Sequence, residues 1–431
     1  MKYKRRIILY ILIPAVIIAS SLCTYYYLVD NNSYVKEWHN LPFDVKVSSV
    51  VLAVESIDNM LIAPEIDTSI TNKITGERLM NSIRSGADWI VSMQEEGGRF
   101  NYWYDPEKDI YSNRSDDNFL RQAGTAYSLM LVYEVTGDTI YMNSAKKNIN
   151  HLFRYRKYID ENRTYFEFKG KAKLGGIALP MLTMVKIKAL AGDMSFNDDL
   201  EKLADMIIYL QQYYGNGKFK STYVYLGDYE HEKNSGWESS IYPGEAMLAI
   251  ALMYKSFGEE KYKQCFDKAY DYYSADGNWR MSGFRPWAIS ACSEMYHVTN
   301  DRKYSDFAFR MCGYGLTWQN LNPDYIVYGS IYALPDVFTA TTFEGIGDAI
   351  AVACKTGDTD LADLYMERSL IAYNWLMKLQ YSDNDTIPEQ ATGGFRCSLY
   401  DPVIRIDNTQ HAISAMTKGY KYIFSKNRYM P

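Results

Sequence analysis

Two kinds of helical pattern alternate along residues 77–424. One kind is apolar on nearly all sides, and the other carries apolar side chains on one face only. Because a helix without a wide polar face is buried on most sides, the first kind predicts an inner layer and the second an outer layer. The predicted inner helices are Arg121–Thr136, Leu174–Ala191, Tyr242–Phe257, Phe284–Thr299, Phe343–Thr356 and Ile406–Tyr422. The predicted outer helices are Glu77–Met93, Thr139–Tyr155, Asn197–Tyr214, Glu260–Ser274, Arg302–Leu316 and Thr359–Gln380.

Every inner pattern except the last ends at a short turn in which Gly or Asn precedes an acidic residue. Gly and Asn adopt the left-handed conformation that ends a helix, and the acidic residue favours the start of the next helix. Helices joined so tightly must be antiparallel neighbours. The repeat predicts an all-α (α/α)6 toroid of six helical hairpins, and the apolar sixth inner helix favours a closed ring over a polar-capped solenoid. The turns are Thr136-Gly137-Asp138, Ala191-Gly192-Asp193, Phe257-Gly258-Glu259, Thr299-Asn300-Asp301 and Thr356-Gly357-Asp358.

The connections from each outer helix to the next inner helix are mostly long and rich in aromatic residues. The runs 99–104, 165–168, 218–225, 278–280 and 394–396 carry these aromatics, and several alternate as the strands of short β-hairpins do. Long ordered loops in a compact domain are usually functional. All of them lie at the amino-terminal ends of the inner helices, where the helix dipoles favour anionic groups. We therefore expect this rim to hold the functional site.

The start of the chain has a different character from the toroid. Four basic residues within the first six precede an uncharged run from Ile7 to Leu28. At about 1.5 Å per residue this run spans a hydrocarbon core of about 30 Å. It predicts a single-pass membrane anchor with a cytoplasmic basic tail and an extracytoplasmic toroid; a signal peptide cleaved near Ala19-Ser20-Ser21 is the alternative. The predicted division is anchor 1–30, linker 31–76, toroid 77–424 and C-terminal tail 425–431.

Composition narrows the partners of the chain. The net charge is −6 and both signs are spread along the sequence without a long basic block, so we expect no nucleic acid partner. The chain has 40 Tyr against 17 Phe. Tyrosine combines a flat apolar face with a hydroxyl, which suits sugar rings, although it also replaces Phe in helix packing. The histidines show no metal-ligand spacing, and we predict neither a metal nor a cofactor.

The repeat architecture over residues 77–424 resembles the six-hairpin superfamily of glycan-active enzymes, which contains glycoside hydrolases, uronate lyases and sugar epimerases. The stretch from Gly394 to Asp401, followed by Gln410-His411, is similar to the end of glucuronyl C5-epimerase catalytic domains. The resemblance implies a polysaccharide substrate. Gln94 with Gly98-Arg99-Phe100 also resembles the repeats of terpene cyclases and protein prenyltransferases, but no D-D-x-x-D motif stands on an inner helix.

Two glutamates near the third inner helix are candidates for glycosyl chemistry, which commonly needs a proton donor beside a second carboxylate. Glu238 and Glu245 flank Tyr242, and Trp237 could stack on a sugar next to Glu238. A purely structural reading exists for Glu245. If Pro243 is the first residue of the helix, Glu245 is simply an acidic residue in its first turn.

Glu344 and Asp348 lie one turn apart on the fifth inner helix and hence on one face. A capping box from Thr341 to Glu344 would explain Glu344 without chemistry. Asp348 stands in an apolar run, where a lone carboxylate is costly unless it is paired.

The sixth inner helix carries Asp407, Gln410 and His411 on one face. With Arg405 just before it, this group predicts acid/base chemistry at the rim. The structural alternatives are a capping box from Asp407 to Gln410 and a core histidine.

Arginines gather at the predicted rim, and guanidinium groups bind carboxylates as a bidentate fork. The cluster Arg99, Arg114, Arg121, Arg280, Arg285, Arg396 and Arg405 favours an anionic, uronic-acid-containing substrate, unless several of these arginines are partners of buried aspartates. For such a substrate a tyrosine can transfer the C5 proton, and the candidates are Tyr102, Tyr104, Tyr242 and Tyr400. The residues predicted to bind substrate are Arg99, Tyr102, Trp103, Arg121, Trp237, Arg285, Trp287, Glu344, Arg396 and Arg405.

These observations predict an extracytoplasmic, membrane-anchored enzyme that modifies or cleaves an anionic polysaccharide by acid/base chemistry, as an epimerase, a lyase or a hydrolase. A non-catalytic polysaccharide-binding or assembly module and an isoprenoid-processing toroid enzyme are the alternatives. The predicted catalytic residues are Glu238, Glu245, Asp348, Asp407, His411, Tyr242 and Tyr400.

Overall fold

The computed structural model describes residues 71, 73–225, 236–275, 277–383 and 385–425, without the side chains of residues 224, 225 and 236–239. The predicted membrane anchor and nearly all of the predicted linker and C-terminal tail lie outside these residues and stay predictions. Within the described residues, Leu174–Ala191 is the one helix long and apolar enough to cross a membrane. Most of that helix is buried inside the protein, as a core helix would be.

Twelve α-helices of the described chain form two concentric layers. The inner helices are α2 (Phe119–Thr136), α4 (Leu174–Ala191), α6 (Gly236–Phe257), α8 (Phe284–Thr299), α10 (Thr339–Thr356) and α12 (Ile406–Ile423). The outer helices are α1 (Gly76–Ser92), α3 (Thr139–Leu152), α5 (Asn197–Gln212), α7 (Glu260–Ser274), α9 (Arg302–Leu316) and α11 (Thr359–Met377). The predicted alternation of inner and outer helices is confirmed.

The ring closes between its last and first inner helices. Each inner helix contacts the next, α12 contacts α2, and α1 packs on α12 to complete the sixth hairpin. Thr125 of α2 donates a hydrogen bond to Gln410 of α12 (2.9 Å), and Gly124 lies against the same side chain. The closed toroid is therefore the architecture of the chain, and the open solenoid is wrong.

The turns at the carboxyl-terminal ends of the inner helices have the predicted geometry. Gly137, Gly192, Gly258 and Gly357 take φ values between 67° and 79°, and Asn300 takes 55°. The side chains of Asp138 and Asp301 accept hydrogen bonds from backbone N–H groups in the first turns of α3 and α9. These caps satisfy helix ends that would otherwise leave backbone groups without partners.

Short strands occupy the opposite end of the ring. A three-stranded sheet has Trp103–Asp105 in the centre, between Ile110–Tyr111 and Ile404–Arg405. Arg156–Tyr158 and Thr164–Phe166 form a hairpin. Lys171–Lys173 pairs with Thr222–Tyr225, which comes from the next long connection. The aromatic runs 278–280 and 394–396 are not strands. Gly277, at φ 80°, precedes a short 3-10 helix, and residues 395 and 396 make isolated bridges only. The strands are β1 (Trp103–Asp105), β2 (Ile110–Tyr111), β3 (Arg156–Tyr158), β4 (Thr164–Phe166), β5 (Lys171–Lys173), β6 (Thr222–Tyr225) and β7 (Ile404–Arg405).

Candidate active site

Asp407 forms the centre of a charged cluster where the ring closes. Arg405, which precedes α12, donates two hydrogen bonds to the Asp407 carboxylate, one of them 2.9 Å from Nε to Oδ1. Arg121, in the first turn of α2, places its Nε 2.9 Å from Asp407 Oδ2. Burial alone would raise the pKa of Asp407, which is 3% exposed, but Arg405 and Arg121 hold that pKa well below its usual range. Asp407 is therefore an ionised anchor for two arginines.

Tyr102 joins this cluster through the chain segment before β1. The backbone carbonyl of Tyr102 accepts a hydrogen bond from the N–H of Ile406 (3.0 Å), which ties the start of α12 to that segment. The Arg405 guanidinium lies 5.6 Å from the centre of the Tyr102 ring. Burial, reinforced by the Asp407 carboxylate, raises the pKa of Tyr102 above its ordinary value of 10. At neutral pH Tyr102 therefore keeps its proton and can donate a hydrogen bond.

Glu344 and His411 form a pair across two neighbouring inner helices. Glu344 Oε2 lies 3.0 Å from His411 Nδ1. The predicted capping box does not form, because α10 begins at Thr339 and places Glu344 in its second turn. A proton on Nδ1, held by the carboxylate, leaves Nε2 as a proton acceptor. The His411 side chain is 19% exposed, so the imidazole is partly open to solvent.

Glu245 is the most unusual carboxyl group at this end of the ring. The sequence offered a structural explanation for Glu245, as an acidic residue in the first turn of its helix, and this explanation is wrong. The helix α6 begins at Gly236 and Pro243 lies inside it, which places Glu245 in the third turn. Glu245 is 4% exposed, and its Oε2 has no hydrogen-bond partner among the described residues. Burial raises the pKa of Glu245 to about 8, with Glu344 adding to the rise while Arg121 and Lys173 oppose it. Glu245 therefore holds a proton at neutral pH.

The neighbouring helix is shaped around this carboxyl group. A Cβ atom at Gly175, in the first turn of α4, would lie 2.2 Å from Glu245 Oε2. Lys173, immediately before α4, donates to the hydroxyl of buried Tyr242 over 3.4 Å. Trp287 packs against Gly244, and its ring centre lies 6.4 Å from that of Tyr127. Gly175 and the Tyr242 ring thus lie beside a carboxyl oxygen that has no hydrogen-bond partner among the described residues.

Asp348 lies deeper in the ring than the groups above. Its carboxylate accepts a hydrogen bond from Lys418 Nζ (2.6 Å), and the same ammonium reaches Ser290 Oγ over 3.0 Å. Sequence reasoning expected a partner for Asp348 but missed Lys418, which stands 70 positions further along the chain. The ion pair accounts for a carboxylate in an apolar helix.

The predicted arginine cluster separates into distinct environments. Arg121 and Arg405 share the carboxylate of Asp407, whereas Arg99 and Arg114 lie at that of Glu95. Arg99 pairs with Glu95 in the loop after α1. Arg285 donates to the Arg280 carbonyl and to the Tyr332 hydroxyl, and Arg396 donates to the Lys378 carbonyl.

The other predicted site residues have varied positions. Trp103 pairs with Arg405 between β1 and β7. Tyr104 is fully buried and donates to Asp109 Oδ1 over 2.7 Å. Tyr400 is 49% exposed in the loop before β7. Trp237 and Glu238 lie in the first turn of α6, and their side chains are outside the described residues. The structure therefore brings together Tyr102, Arg121, Glu245, Glu344, Arg405, Asp407 and His411.

No protein-family model matches the sequence, and no curated protein matches it. Solved structures are similar in fold. An inactive alpha-1,6-mannanase variant of Salegentibacter sp. HEL1_6, in complex with alpha-1,6-mannotriose, has TM-score 0.55 and 10% identity over 79% of this chain and 99% of that one. An unsaturated glucuronyl hydrolase specific for heparin has TM-score 0.55 and 11% identity over 82% and 99% of the two chains. Cellobiose 2-epimerase from Bacillus thermoamylovorans B4167 has TM-score 0.57 and 12% identity over 78% and 98%. These similarities confirm the predicted toroid fold.

Proposed function

We propose that this protein is a carbohydrate-active enzyme that modifies or cleaves an anionic, uronic-acid-containing polysaccharide by general acid/base chemistry. The observation that carries the proposal is the protonated, buried carboxyl group of Glu245, whose Oε2 lacks a hydrogen-bond partner in the described chain. A buried polar atom without a partner is costly and is common where a ligand completes the site. Three glycan-active proteins share this fold, namely a mannanase, a glucuronyl hydrolase and an epimerase, and they support a carbohydrate substrate.

The two proton-transfer groups have complementary proposed roles. Glu245 carries a proton that it can give, and His411 Nε2 can take one while Glu344 holds Nδ1. In hydrolysis, Glu245 would protonate the leaving glycosidic oxygen and His411 would deprotonate the attacking water. In elimination, His411 would remove the C5 proton and Glu245 would protonate the leaving oxygen. In epimerisation, His411 would remove the C5 proton and Glu245 would return a proton to C5 from the opposite face.

The charged cluster around Asp407 has a supporting role in this scheme. Asp407 is fully occupied by Arg405 and Arg121, so it positions those guanidinium groups instead of transferring protons. Arg121 also opposes the rise in the pKa of Glu245 and therefore acts on the reacting carboxyl group. Tyr102, protonated beside Arg405, is a hydrogen-bond donor for a sugar hydroxyl.

A panel of uronic-acid-containing and neutral polysaccharides tests the proposed activity. Elimination yields products that absorb in the near ultraviolet, hydrolysis yields reducing ends without that absorbance, and epimerisation exchanges the C5 hydrogen with solvent. The control is the double variant Glu245→Gln/His411→Gln, which should bind the same glycans and lack turnover. Binding without any of the three products by the wild-type protein would instead establish a non-catalytic binding or assembly module.

An isoprenoid-processing role fits this ring less well. Such an enzyme needs a dry apolar cavity, whereas this end of the ring carries Glu245, Glu344 and Asp407 together with two arginines. Burying these polar and charged groups against a hydrocarbon substrate would be costly.

The proposed place of action is outside the cytoplasm, with the uncharged segment Ile7–Leu28 as a membrane anchor. Reporter fusions test this part separately. A periplasmic or cell-surface reporter fused after the toroid should be active, and the chain should stay in the membrane fraction after a high-salt wash. Release into the medium would favour the cleaved signal peptide.

A further inference from the structure

A cleft of about 220 Å³ opens on the rim beside the first turns of α2 and α4. Aromatic rings line it, and the centre of the Phe119 ring lies 5.3 Å from that of Phe166 and 6.1 Å from that of Phe168. Aromatic faces of this kind pack well against the C–H face of a sugar ring. The volume is on the order of that of one sugar residue, which is small for a complete ligand pocket and suited to one subsite.

Three lysines also line this cleft. Lys171 and Lys173 flank the fully buried Ala172 on strand β5 and both contribute to the lining. Lys169, at φ 50°, donates to the backbone carbonyls of Ser115 (2.7 Å) and Asp117 (3.0 Å). These bonds fix the loop that carries the lysines against the turn before α2. We call Lys169, Lys171 and Lys173 the lysine triplet.

The charge balance of the cleft favours an anion. Asp117 is the one acidic side chain in the described lining. Its carboxylate already accepts hydrogen bonds from the Asn118 N–H (2.9 Å) and from Gln122 Nε2 (2.8 Å). Three lysines therefore line the cleft together with one acidic residue, whose carboxylate is engaged within its own turn. The amino-terminal ends of two inner helices add positive potential at the same place.

The cleft adjoins the reaction centre through the first turn of α4. Gly175 lies against Glu245 Oε2, while the next residue, Gly176, lines the cleft. Lys173 also reaches both places, because it lines the cleft and donates to the Tyr242 hydroxyl. A sugar residue in the cleft would therefore be the immediate neighbour of one that reacts at Glu245.

We propose that this cleft is a subsite in which the lysine triplet binds the carboxylate of a uronic-acid residue adjacent to the residue that reacts at Glu245. This inference rests on the proposed function and deepens it. It adds the lysine triplet to the sequence-based prediction that arginines recognise the charge of the substrate; two of those arginines, Arg121 and Arg405, pair with Asp407. The lysines recognise the charge of the carboxylate, and the phenylalanines accept the ring that carries it.

Binding measurements on the full-length chain with the Glu245→Gln change test the subsite without turnover. The probes are tetrasaccharides of galacturonate, hyaluronan and alginate, each paired with its carboxyl-reduced, neutral counterpart. We expect tighter binding of at least one acidic probe than of its neutral partner, and a loss of affinity with rising salt. Lys171→Gln should weaken the acidic probe about tenfold and leave the neutral one unchanged. Lys171→Gln/Lys173→Gln should abolish the preference.

Lys147→Gln, an exposed lysine on the outer helix α3, is the matched control and should bind like the parent chain. Equal affinity for acidic and neutral probes, no binding of any acidic probe, or a Lys171→Gln variant identical to the control would overturn the subsite. The two proposals fail separately. If the wild type turns over neutral glycans and the lysine substitutions leave that turnover unchanged, the subsite is wrong and the enzymatic function stands. If acidic probes bind in a lysine-dependent way and the wild type turns over no glycan, the enzymatic function is wrong and the subsite stands.

Discussion

At the carboxyl-terminal end of the ring Glu134 lies between two lysines, whereas at the amino-terminal end Glu245 Oε2 has no hydrogen-bond partner in the described chain. Glu134 accepts from Lys186 Nζ at 2.5 Å and from Lys421 Nζ at 2.9 Å. Burial opposes its ionisation, but the two lysines lower the pKa of Glu134 to about 2. The partly buried Glu134 is thus held charged, and the buried Glu245, with a pKa of about 8, is held neutral.

The paired glutamate has a structural explanation. Glu134, Lys186 and Lys421 belong to α2, α4 and α12, so their ion pairs connect three consecutive helices of the ring. Lys255 and Glu294 connect α6 with α8 in the same way over 3.0 Å. At this end the charges stabilise the closed ring. At the other end Glu245 is held neutral, and its Oε2 has no hydrogen-bond partner in the described chain. The proposed active site is assigned from this contrast.

The largest expected effect is on turnover. Glu245→Gln keeps the size of the side chain and removes the transferable proton, so the turnover rate should fall by roughly 10²- to 10⁴-fold. Glu134→Gln should keep the turnover rate of the folded protein. The two variants are compared on whichever glycan the wild-type chain processes. Equal losses in both, or none in Glu245→Gln, would contradict the distinction between the two ends.

The stability of the protein should depend on pH in a way that Glu245 determines. The folded-state pKa of about 8 lies above the ordinary 4.5, so the folded chain binds this proton more tightly than the unfolded chain. The contribution of Glu245 protonation to the free energy of unfolding is fully present below about pH 4.5 and is lost as the pH rises through about 8. Between these limits the free energy of unfolding of the wild type should fall relative to Glu245→Gln by up to ~1.4 kcal/mol per pH unit. Urea titrations at several pH values measure the difference, and a constant difference would contradict it.

A second stability test concerns Glu134, the glutamate that is paired with two lysines. Glu134→Gln leaves two partly buried lysines without their partner, so the free energy of unfolding at neutral pH should fall by about 2 kcal/mol. This figure is at the low end for buried pairs because the three side chains are between 16% and 23% exposed. Chemical denaturation at neutral pH measures the loss. If Glu134→Gln lowers the free energy of unfolding no more than Glu245→Gln does, the ion pairs at the carboxyl-terminal end do not stabilise the ring.

The smallest effect is expected at a turn of the carboxyl-terminal end. Gly137 has φ 68° with open space around the missing Cβ, so Gly137→Ala adds backbone strain without a clash. The free energy of unfolding should fall by about 1 kcal/mol, with turnover unchanged. Thermal unfolding and a turnover assay measure both quantities. A loss of turnover would show that the two ends of the ring are coupled.

The sequence predicted the helices well because their signals are local. The Gly or Asn in each turn and the apolar character of the inner helices depend on neighbouring residues, and several helices, such as α8, begin and end where the pattern predicts. The predicted start of α6 was wrong. Proline suits the first turn of a helix, so the prediction placed the start near Pro243, whereas α6 begins earlier, at Gly236.

The sequence predicted several residues of the candidate site but not which of them pair with one another. Glu245, Glu344, Asp407 and His411 were selected by their position near the inner-helix starts, yet the pairs that assign their roles join distant helices. Nothing in the local pattern indicates that Glu344 binds His411 while Glu245 stays without a hydrogen-bond partner at Oε2. The lysine triplet was missed, although the alternation of Lys171, Ala172 and Lys173 just before an inner helix was a usable signal.

A direct titration of the Glu245 carboxyl group tests the central claim. Infrared difference spectra between the wild type and Glu245→Gln isolate the C=O stretch of the protonated acid. We predict that this band is present at neutral pH and disappears with a midpoint near pH 8. A band that is already absent at neutral pH, with a midpoint near the ordinary value of 4.5, would show that Glu245 is ionised and cannot be the proton donor.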